Sequence, residues 1–239
     1  MEQRQRHARQ QNTPYALEPN CKESPGGLRD LHTIRWVARA AGLGTSWAAL
    51  ARSVASAREA RQLARNERLL WLVRARLHLL AGRHEDRLVF DRQAAVAAAF
   101  GYENRLDANG RLAQRASEQL MRRYYWCAKA VLQLSEILLQ AIARRLQDER
   151  AAPPPAHRIN AWFSEVDGAL DIHRDNLYQR HPRAILQTFW LYQSRASVQS
   201  LSARTLRALY NARAVMDGRF RADPPIAPFS CACSRRRRG

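Results

Sequence analysis

A chain of 239 residues, 46% hydrophobic and 26% charged, is long enough for one large domain or two small ones and has the balance of an ordinary soluble globular protein. Its four cysteines, Cys21, Cys127, Cys231 and Cys233, are too few and scattered for a disulfide framework, and the lone C-x-C at 231–233 lacks the second pair a zinc site needs. The net charge of +19 is unusual: only Lys22 and Lys129 are lysine, and every other one of the 40 basic residues is arginine.

The arginines are spread along every helical segment, alongside abundant alanine. A coding bias towards Arg and Ala is the preferred explanation. A polyanion footprint is the alternative, so nucleic-acid binding is possible but not favoured. The polar, basic stretch from Met1 to Gln11 has no apolar core, so no signal peptide is visible. Wholly apolar runs such as Leu69 to Val73 fall far short of the roughly 20 residues a membrane span requires. The expectation is a cytoplasmic protein with no membrane span.

Residues 1 to 14 are polar and read as loose. From Tyr15 the pattern has period two, with Tyr15, Leu17, Pro19 and Cys21 on one side and Ala16, Glu18, Asn20 and Lys22 on the other. That is a strand signature, and Pro14 and Pro19 make it an edge strand or an extended segment. Pro25-Gly26-Gly27 then breaks the chain. A helix follows with Leu28, Leu31, Ile34, Val37, Ala38 and Ala41 at helical spacing, and Gly42 is its stop. A helix start after such a turn can present N–H groups to an anion, although most such starts bind nothing.

Ser56 and Glu59 form a capping box for the next helix, whose apolar stripe is Leu63, Leu70, Val73, Leu77 and Leu80 and whose stop is Gly82. A shorter helix spans Asp91 to Phe100 with Asp91 as its cap. The longest runs from Leu112 to Arg150, with Leu120, Tyr124, Cys127, Val131, Leu134, Leu138, Ile142 and Leu146 on one line. Pro153-Pro154-Pro155 ends it as a stiff linker, the best internal boundary in the chain. Beyond lie Ile159 to Phe163, an irregular stretch around Asp167 to Asp175 where a short hairpin is undecided, and helices over Pro182–Gln193 and Ser202–Asp217. From Pro225 the periodicity is lost, and the arginine-rich end reads as disordered, out-of-frame sequence, with a basic targeting or nucleic-acid tail as the alternative.

Signature motifs of common catalysts are missing. There is no P-loop, no G-x-S-x-G and no H-E-x-x-H. The histidines show no metal-ligand spacing. His84-Glu85-Asp86 only superficially resembles a histidine–aspartate phosphohydrolase pair, because Glu85 interrupts it.

One dense cluster remains: Glu18-Pro19-Asn20-Cys21-Lys22-Glu23-Ser24-Pro25-Gly26-Gly27-Leu28-Arg29-Asp30. It resembles the L-E-P-N-x-K-x-x-P-G-G-L-R-D block of the bifunctional PII uridylyltransferase/uridylyl-removing family, preceded by an R-H-x-R element seen here as Arg6-His7-Ala8-Arg9. A related G-G-[IL]-R-[DE] block occurs in glutamine-synthetase adenylyltransferases. Further matches run through His32, Ile34 and Trp36, then Leu77-His78 and Ala81 to Leu88, Met121 to Tyr125, Ile159-Asn160, Ser202 to Arg207, and Phe220-Arg221 with Asp223-Pro224. Gln10, Pro14 and Ala16 depart from the usual aromatic residue, Ala and Asn.

The resemblance implies an enzyme in several parts. A nucleotidyltransferase domain with a D-x-D pair and a glycine run holds magnesium and UTP and transfers UMP to a tyrosine of the PII signal protein. A helical linker, a phosphohydrolase domain that removes UMP and two glutamine-sensing ACT domains follow. This sequence contains no D-x-D pair. It is therefore expected to be a truncated, inactive fragment, with no catalytic residues, no metal ligands and no cofactor of its own. Residues 1–30 would be the end of the nucleotidyltransferase domain, 31–152 the helical linker domain, 153–224 its continuation and 225–239 a disordered tail. The implied fold is all-α, an irregular bundle with one long helix preceded by an orphan extended segment. Residues 1–26 would then be poorly ordered and the chain prone to associate.

By the same resemblance, Glu18, Asn20, Lys22, Gly26, Gly27, Arg29 and Asp30 lie next to the nucleotide site. Glu18, Asn20 and Lys22 share a strand face towards the cleft, Lys22 or Arg29 meets phosphate, and Asp30 is an outer acid near the metal. The alternative is that Arg29 and Asp30 buttress the turn and that the glycines serve only backbone conformation. Arg83, Glu85, Asp86 and Arg87 read as a buried polar network holding helices together. Partners would be PII and the remaining domains. A helical interaction module and an arginine-rich nucleic-acid binder stay open as other functions.

Overall fold

A computed structural model of the chain describes residues 2–148, 154–217 and Phe220. It divides into two compact units, Met1–Ile142 and Ala143–Gly239. Helices dominate both, but six short strands form two small sheets among the described residues, so the all-α expectation holds only in its coarser form.

The first unit opens with α1 (Glu2–Arg9), where a loose segment was expected. Residues 10–27 follow without a strand. The period-two expectation fails because Leu17 is 80% exposed while Cys21, on the same nominal face, is fully buried. Only an isolated bridge forms, between Asn20 and Arg87. Nor is the segment an orphan: Cys21 N–H donates to the Asp86 carbonyl at 2.7 Å and Leu88 N–H to the Pro19 carbonyl at 2.9 Å. For the described residues 2–26, the expectation of disorder is corrected by these bonds and by the burial of Arg6, Cys21 and Ser24.

Helix α2 (Leu28–Ala40) buries Leu28, Leu31, Ile34 and Ala38 of the predicted stripe, while Val37 is exposed and Ala41 is the C-cap rather than a core position. A short helix, α3 (Trp47–Ala51), is capped by Ser46. Helix α4 (Ala57–Ala81) carries the expected capping box and ends at Gly82 in the left-handed region. Leu63, Leu70, Val73 and Leu77 are fully buried, but Leu80 is half exposed. Helix α5 (Phe90–Ala99) has Val89 at its N-cap and no side-chain cap of its own, so Asp91 is not the cap. Instead Glu18 accepts the Phe90 N–H at 2.9 Å.

The long helix starts later than its periodicity suggests. Arg105–Leu106 (β1) and Leu112–Gln114 (β2) pair antiparallel, and α6 runs over Ala116–Asp148. Its buried line is Leu120, Tyr124, Cys127, Val131, Leu134, Leu138 and Ile142. By length and composition, residues Ala116–Gln147 would suffice to cross a membrane. Half of its most apolar 18-residue window is buried, however, and the continuous stripe makes it the core helix of the first unit.

In the second unit, β3 (Ala156–Arg158), β4 (Phe163–Val166), β5 (Ala169–Ile172) and β6 (Ser200–Leu201) form one sheet in that order. Only the β5–β6 pairing is parallel. Asp167 and Gly168 connect β4 to β5 with φ of +52° and +68°, as a tight two-residue hairpin requires. His173 Nδ1 faces the Ala161 carbonyl at 2.9 Å and must donate to it, while Nε2 stands 2.7 Å from the Ser164 hydroxyl. Helices α7 (Leu177–Arg180), α8 (Ala184–Ser194) and α9 (Ala203–Asn211), with the 3-10 turn Ala212–Val215, cover a core of Phe163, Leu170, Ile172, Tyr178, Ile185 and Leu191. The expected break at Pro153 and the arginine-rich end with its C-x-C lie outside the described residues.

Candidate functional site

The block singled out in the sequence folds as one continuous turn. Asn20 Oδ1 accepts the N–H groups of Lys22 (3.0 Å) and Glu23 (2.8 Å), the short-range bonding that makes asparagine a turn former. Asn20 N–H donates to Ser24 Oγ at 2.9 Å. Asn20 therefore serves the turn with its side chain and does not share an outward strand face with Glu18 and Lys22.

Gly26 sits at φ +81°, and the reason is contact as well as conformation. A Cβ at this position would lie 2.0 Å from the backbone carbonyl oxygen of Ala128 in α6. Glycine lets the turn rest directly on the backbone of the long helix. At Gly27 a Cβ would meet the carbonyl oxygens of Lys22 at 2.7 Å and of Cys21 and Ser24 at 2.9 Å.

These carbonyls also occupy the start of α2. Leu28 N–H donates to Cys21 O (3.0 Å), Arg29 N–H to Lys22 O (2.9 Å) and Asp30 N–H to Gly27 O (3.1 Å). An anion at this helix start would find those donors already used, so the turn is closed on itself rather than open to phosphate.

Asp30 is the centre of the arrangement. It is fully buried and joins three segments. Oδ1 accepts Arg6 Nη2 at 2.8 Å and Gln3 Nε2 at 3.2 Å. His7 Nε2 stands 3.0 and 3.1 Å from the two carboxylate oxygens, and Oδ2 accepts the Gly26 N–H at 2.8 Å. Burial alone would raise its pKa, but the hydrogen bonds from His7, Arg6 and Gly26 outweigh it and hold the carboxyl below its usual range. The R-H-x-R element is thus a clamp: α1 binds the glycine turn through one carboxylate. Arg6, 8% exposed, also reaches Glu2 at 3.1 Å, the Glu23 carbonyl at 3.1 Å and the Glu23 carboxylate at 3.7 Å. Sequence reading carried Arg6 and His7 as part of the motif without a role and missed Gln3. The signal was helical spacing, since residues 3, 6 and 7 fall on one face.

The other block residues lie further out. Arg29 pairs with Glu23 at 3.0 Å and places its guanidinium 5.6 Å from the Trp36 ring centre. Lys22 is one-third exposed, with its amine 3.9 Å from Glu23. Glu18 pairs with Arg87 at 3.4 Å. Together with Arg9, Leu17, Asn20 and Phe90, Glu18 and Arg87 line an open groove of about 600 Å³.

The 83–87 segment is not one buried network. Arg83 and Arg87 are 71% and 61% exposed. Glu85 accepts Arg83 (3.2 Å), stands 3.7 Å from Arg92 and takes the Arg87 N–H (3.1 Å). Asp86 turns the other way, to Arg74 and to His78 (3.2 Å) on α4. Burial raises its pKa, but the Arg74 and His78 bonds bring it below the ordinary carboxylate value. The segment ties α4 to the turn, with Arg83 and Arg87 at the surface and the Asp86 pairs to Arg74 and His78 partly buried. Among the described residues no group of three or more His, Cys, Asp or Glu side chains is placed to hold a metal ion.

Comparison with known proteins agrees along most of the chain. The family model described as GlnD PII-uridylyltransferase matches residues 1–139, and that of the uridylyltransferase GlnD third domain matches residues 163–229. Similar proteins named bifunctional uridylyltransferase/uridylyl-removing enzyme occur in Cupriavidus pinatubonensis and Cupriavidus metallidurans, each 56% identical over 225 residues. Another occurs in Burkholderia mallei, 55% identical over 227 residues. Each alignment covers 94% of this chain, which spans only 25% of those relatives. No solved structure matches. The turn, its arginine clamp and these matches lead to one conclusion: the chain belongs to the GlnD PII-uridylyltransferase family.

Proposed function

We propose that this chain is a scaffold segment of a cytoplasmic enzyme of nitrogen regulation, one that moves UMP from UTP to a tyrosine of the PII signal protein and removes it again. Residues 1–30 complete the nucleotidyltransferase domain, 31–152 form the helical linker domain and 153–224 continue it. In the whole enzyme, the turn carrying Glu18, Asn20, Lys22, Gly26, Gly27, Arg29 and Asp30 borders the nucleotide site and fixes its wall. Magnesium and UTP are held by groups other than these.

The observation that supports this reading is the commitment of the block's acids. Asp30 is bonded by Gln3, Arg6, His7 and the Gly26 N–H. Glu23 is held by Arg6 and Arg29, and Glu18 by Arg87 and the Phe90 N–H. A carboxylate must present free lone pairs to bind magnesium, and breaking buried bonds to free them is costly. The turn therefore serves by shape.

Docking tests the proposal. The nucleotidyltransferase domain of the Cupriavidus metallidurans relative, produced separately, is titrated with this chain in a calorimeter. A saturable one-to-one complex is expected, and it should be lost when Gly26→Ala distorts the turn. No heat at micromolar concentrations of both would count against a scaffold role. Binding of PII by the chain without that domain would favour an interaction module instead.

A further inference from the structure

The solvent face of α4 carries arginines that the fold does not use. Arg58, Arg61, Arg65 and Arg68 are all exposed and recur three, four and three residues apart, which places them along one side of the helix. Among the described residues, none of the four side chains takes part in a hydrogen bond, ion pair or ring contact. The two acids of α4 face elsewhere. Glu59 closes the capping box with Ser56 and is buried, and Glu67 binds Arg35 at 3.1 Å and the Trp47 indole N–H at 2.7 Å. Like charges at these spacings oppose helix formation, so the stripe contributes nothing to the fold that would account for it.

An aromatic platform adjoins the stripe. Trp71, one turn after Arg68, is 43% exposed, and Trp36 on α2 is 55% exposed. Both rings contact the His32 ring between them, at 6.1 and 5.8 Å. Arg74 and Arg29 stand over the outer rings at 5.3 and 5.6 Å. Half-exposed indoles beside a row of unpaired guanidinium groups combine the two features that hold unpaired strands: cations that follow the phosphates, and aromatic surface, left uncovered by His32, Arg29 and Arg74, against which bases pack. An acidic peptide would use the charge but not the rings, and a duplex would keep its bases out of reach.

We propose that the α4 face from Arg58 to Trp71, with His32 and Trp36, binds single-stranded nucleic acid without sequence preference. The stripe spans roughly 15 Å at 1.5 Å per residue, long enough to follow several phosphates.

The test uses the whole 239-residue chain with the arginines at 235–238 changed to glutamine, which removes the other arginine run from the measurement. Fluorescence anisotropy of a labelled 12-nucleotide oligo(A) is recorded from low to high salt. Changing Arg58, Arg61, Arg65 and Arg68 together to glutamine keeps helix propensity. It should weaken binding at least tenfold and flatten the log K against log salt slope by about 0.7 for each phosphate no longer neutralised. Trp71→Ala should weaken oligo(A) binding by about tenfold with the slope unchanged and leave binding of an RNA duplex of equal length unaffected. Circular dichroism confirms that each variant is folded. An unchanged slope in the glutamine variant overturns the proposal. So does an unaffected affinity in Trp71→Ala, or competition by poly-glutamate as effective as by oligo(A).

Discussion

Replacing Asp30 with asparagine preserves volume and removes one charge, and it should unfold the first unit at much lower denaturant. Asp30 is fully buried and Arg6 is 8% exposed. Deleting one member of a buried ion pair costs about 3–5 kcal/mol, because the other charge stays buried without compensation. Arg6 keeps Glu2 and Glu23, which places the expected loss near the low end, about 3 kcal/mol. With a urea dependence of roughly 1.5 kcal/mol per molar, the midpoint should fall by about 2 M. A background of Trp162→Phe and Trp190→Phe leaves indoles only in the first unit, so fluorescence follows that unit alone. Arg6→Ala should cost less, and the double variant should show strong coupling. The pH dependence follows from the same bonds. The folded Asp30 carboxyl lies below its usual value, so its stabilisation is complete above the unfolded pKa of about 3.9 and disappears as pH falls through the lower folded value. Asp86 is depressed too and adds loss in the same direction. An Asp30→Asn midpoint within error of the parent, or strictly additive effects of Arg6→Ala, would refute the clamp.

Two other perturbations read separate parts of the first unit. Gly26→Ala places a methyl 2.0 Å from a helix backbone oxygen at φ +81°, so the turn must leave α6, and the far-ultraviolet dichroism and yield of folded protein should both fall sharply. Gly42→Ala, with nothing within 4 Å of the added methyl, should cost only the strain of its positive φ, about 1 kcal/mol. Cys21 and Cys127 are buried, and burial pushes both thiols up to about 12. With Cys231 and Cys233 changed to serine, a thiol reagent at pH 8 should find no reactive group until urea is added. Rapid labelling of the native chain would contradict the burial of both.

The helices of the first unit were legible in the sequence where spacing, cap and stop agreed. Ser56, Glu59 and Gly82 define α4 as predicted, and Leu28, Leu31, Ile34 and Ala38 of the α2 stripe are buried, although Val37 is not. Where one signal stood alone it misled. The alternation of Tyr15, Leu17 and Cys21 suggested a strand, yet Pro14 and Pro19 limit pairing and the side chain of Asn20 satisfies the N–H groups a ladder would use. Leu112 continued the helical period of α6, but Gly110 at positive φ turns the chain back and makes a hairpin instead. The β4–β5 hairpin carried a readable signal in Asp167-Gly168 between two apolar segments, and the shortness of those segments hid it. In the site, the glycines and the turn were visible from residue type. The convergence on Asp30 was not, because α1 lies some twenty residues upstream and its polar composition offered no apolar stripe to mark it as a docked helix.

The most direct test of a scaffold role is transfer itself. The chain is incubated with PII, UTP labelled in its α-phosphate and magnesium, beside the full-length Cupriavidus metallidurans relative. The account predicts label on PII with the relative and none with this chain at any concentration. Label carried to PII by these 239 residues alone would contradict it.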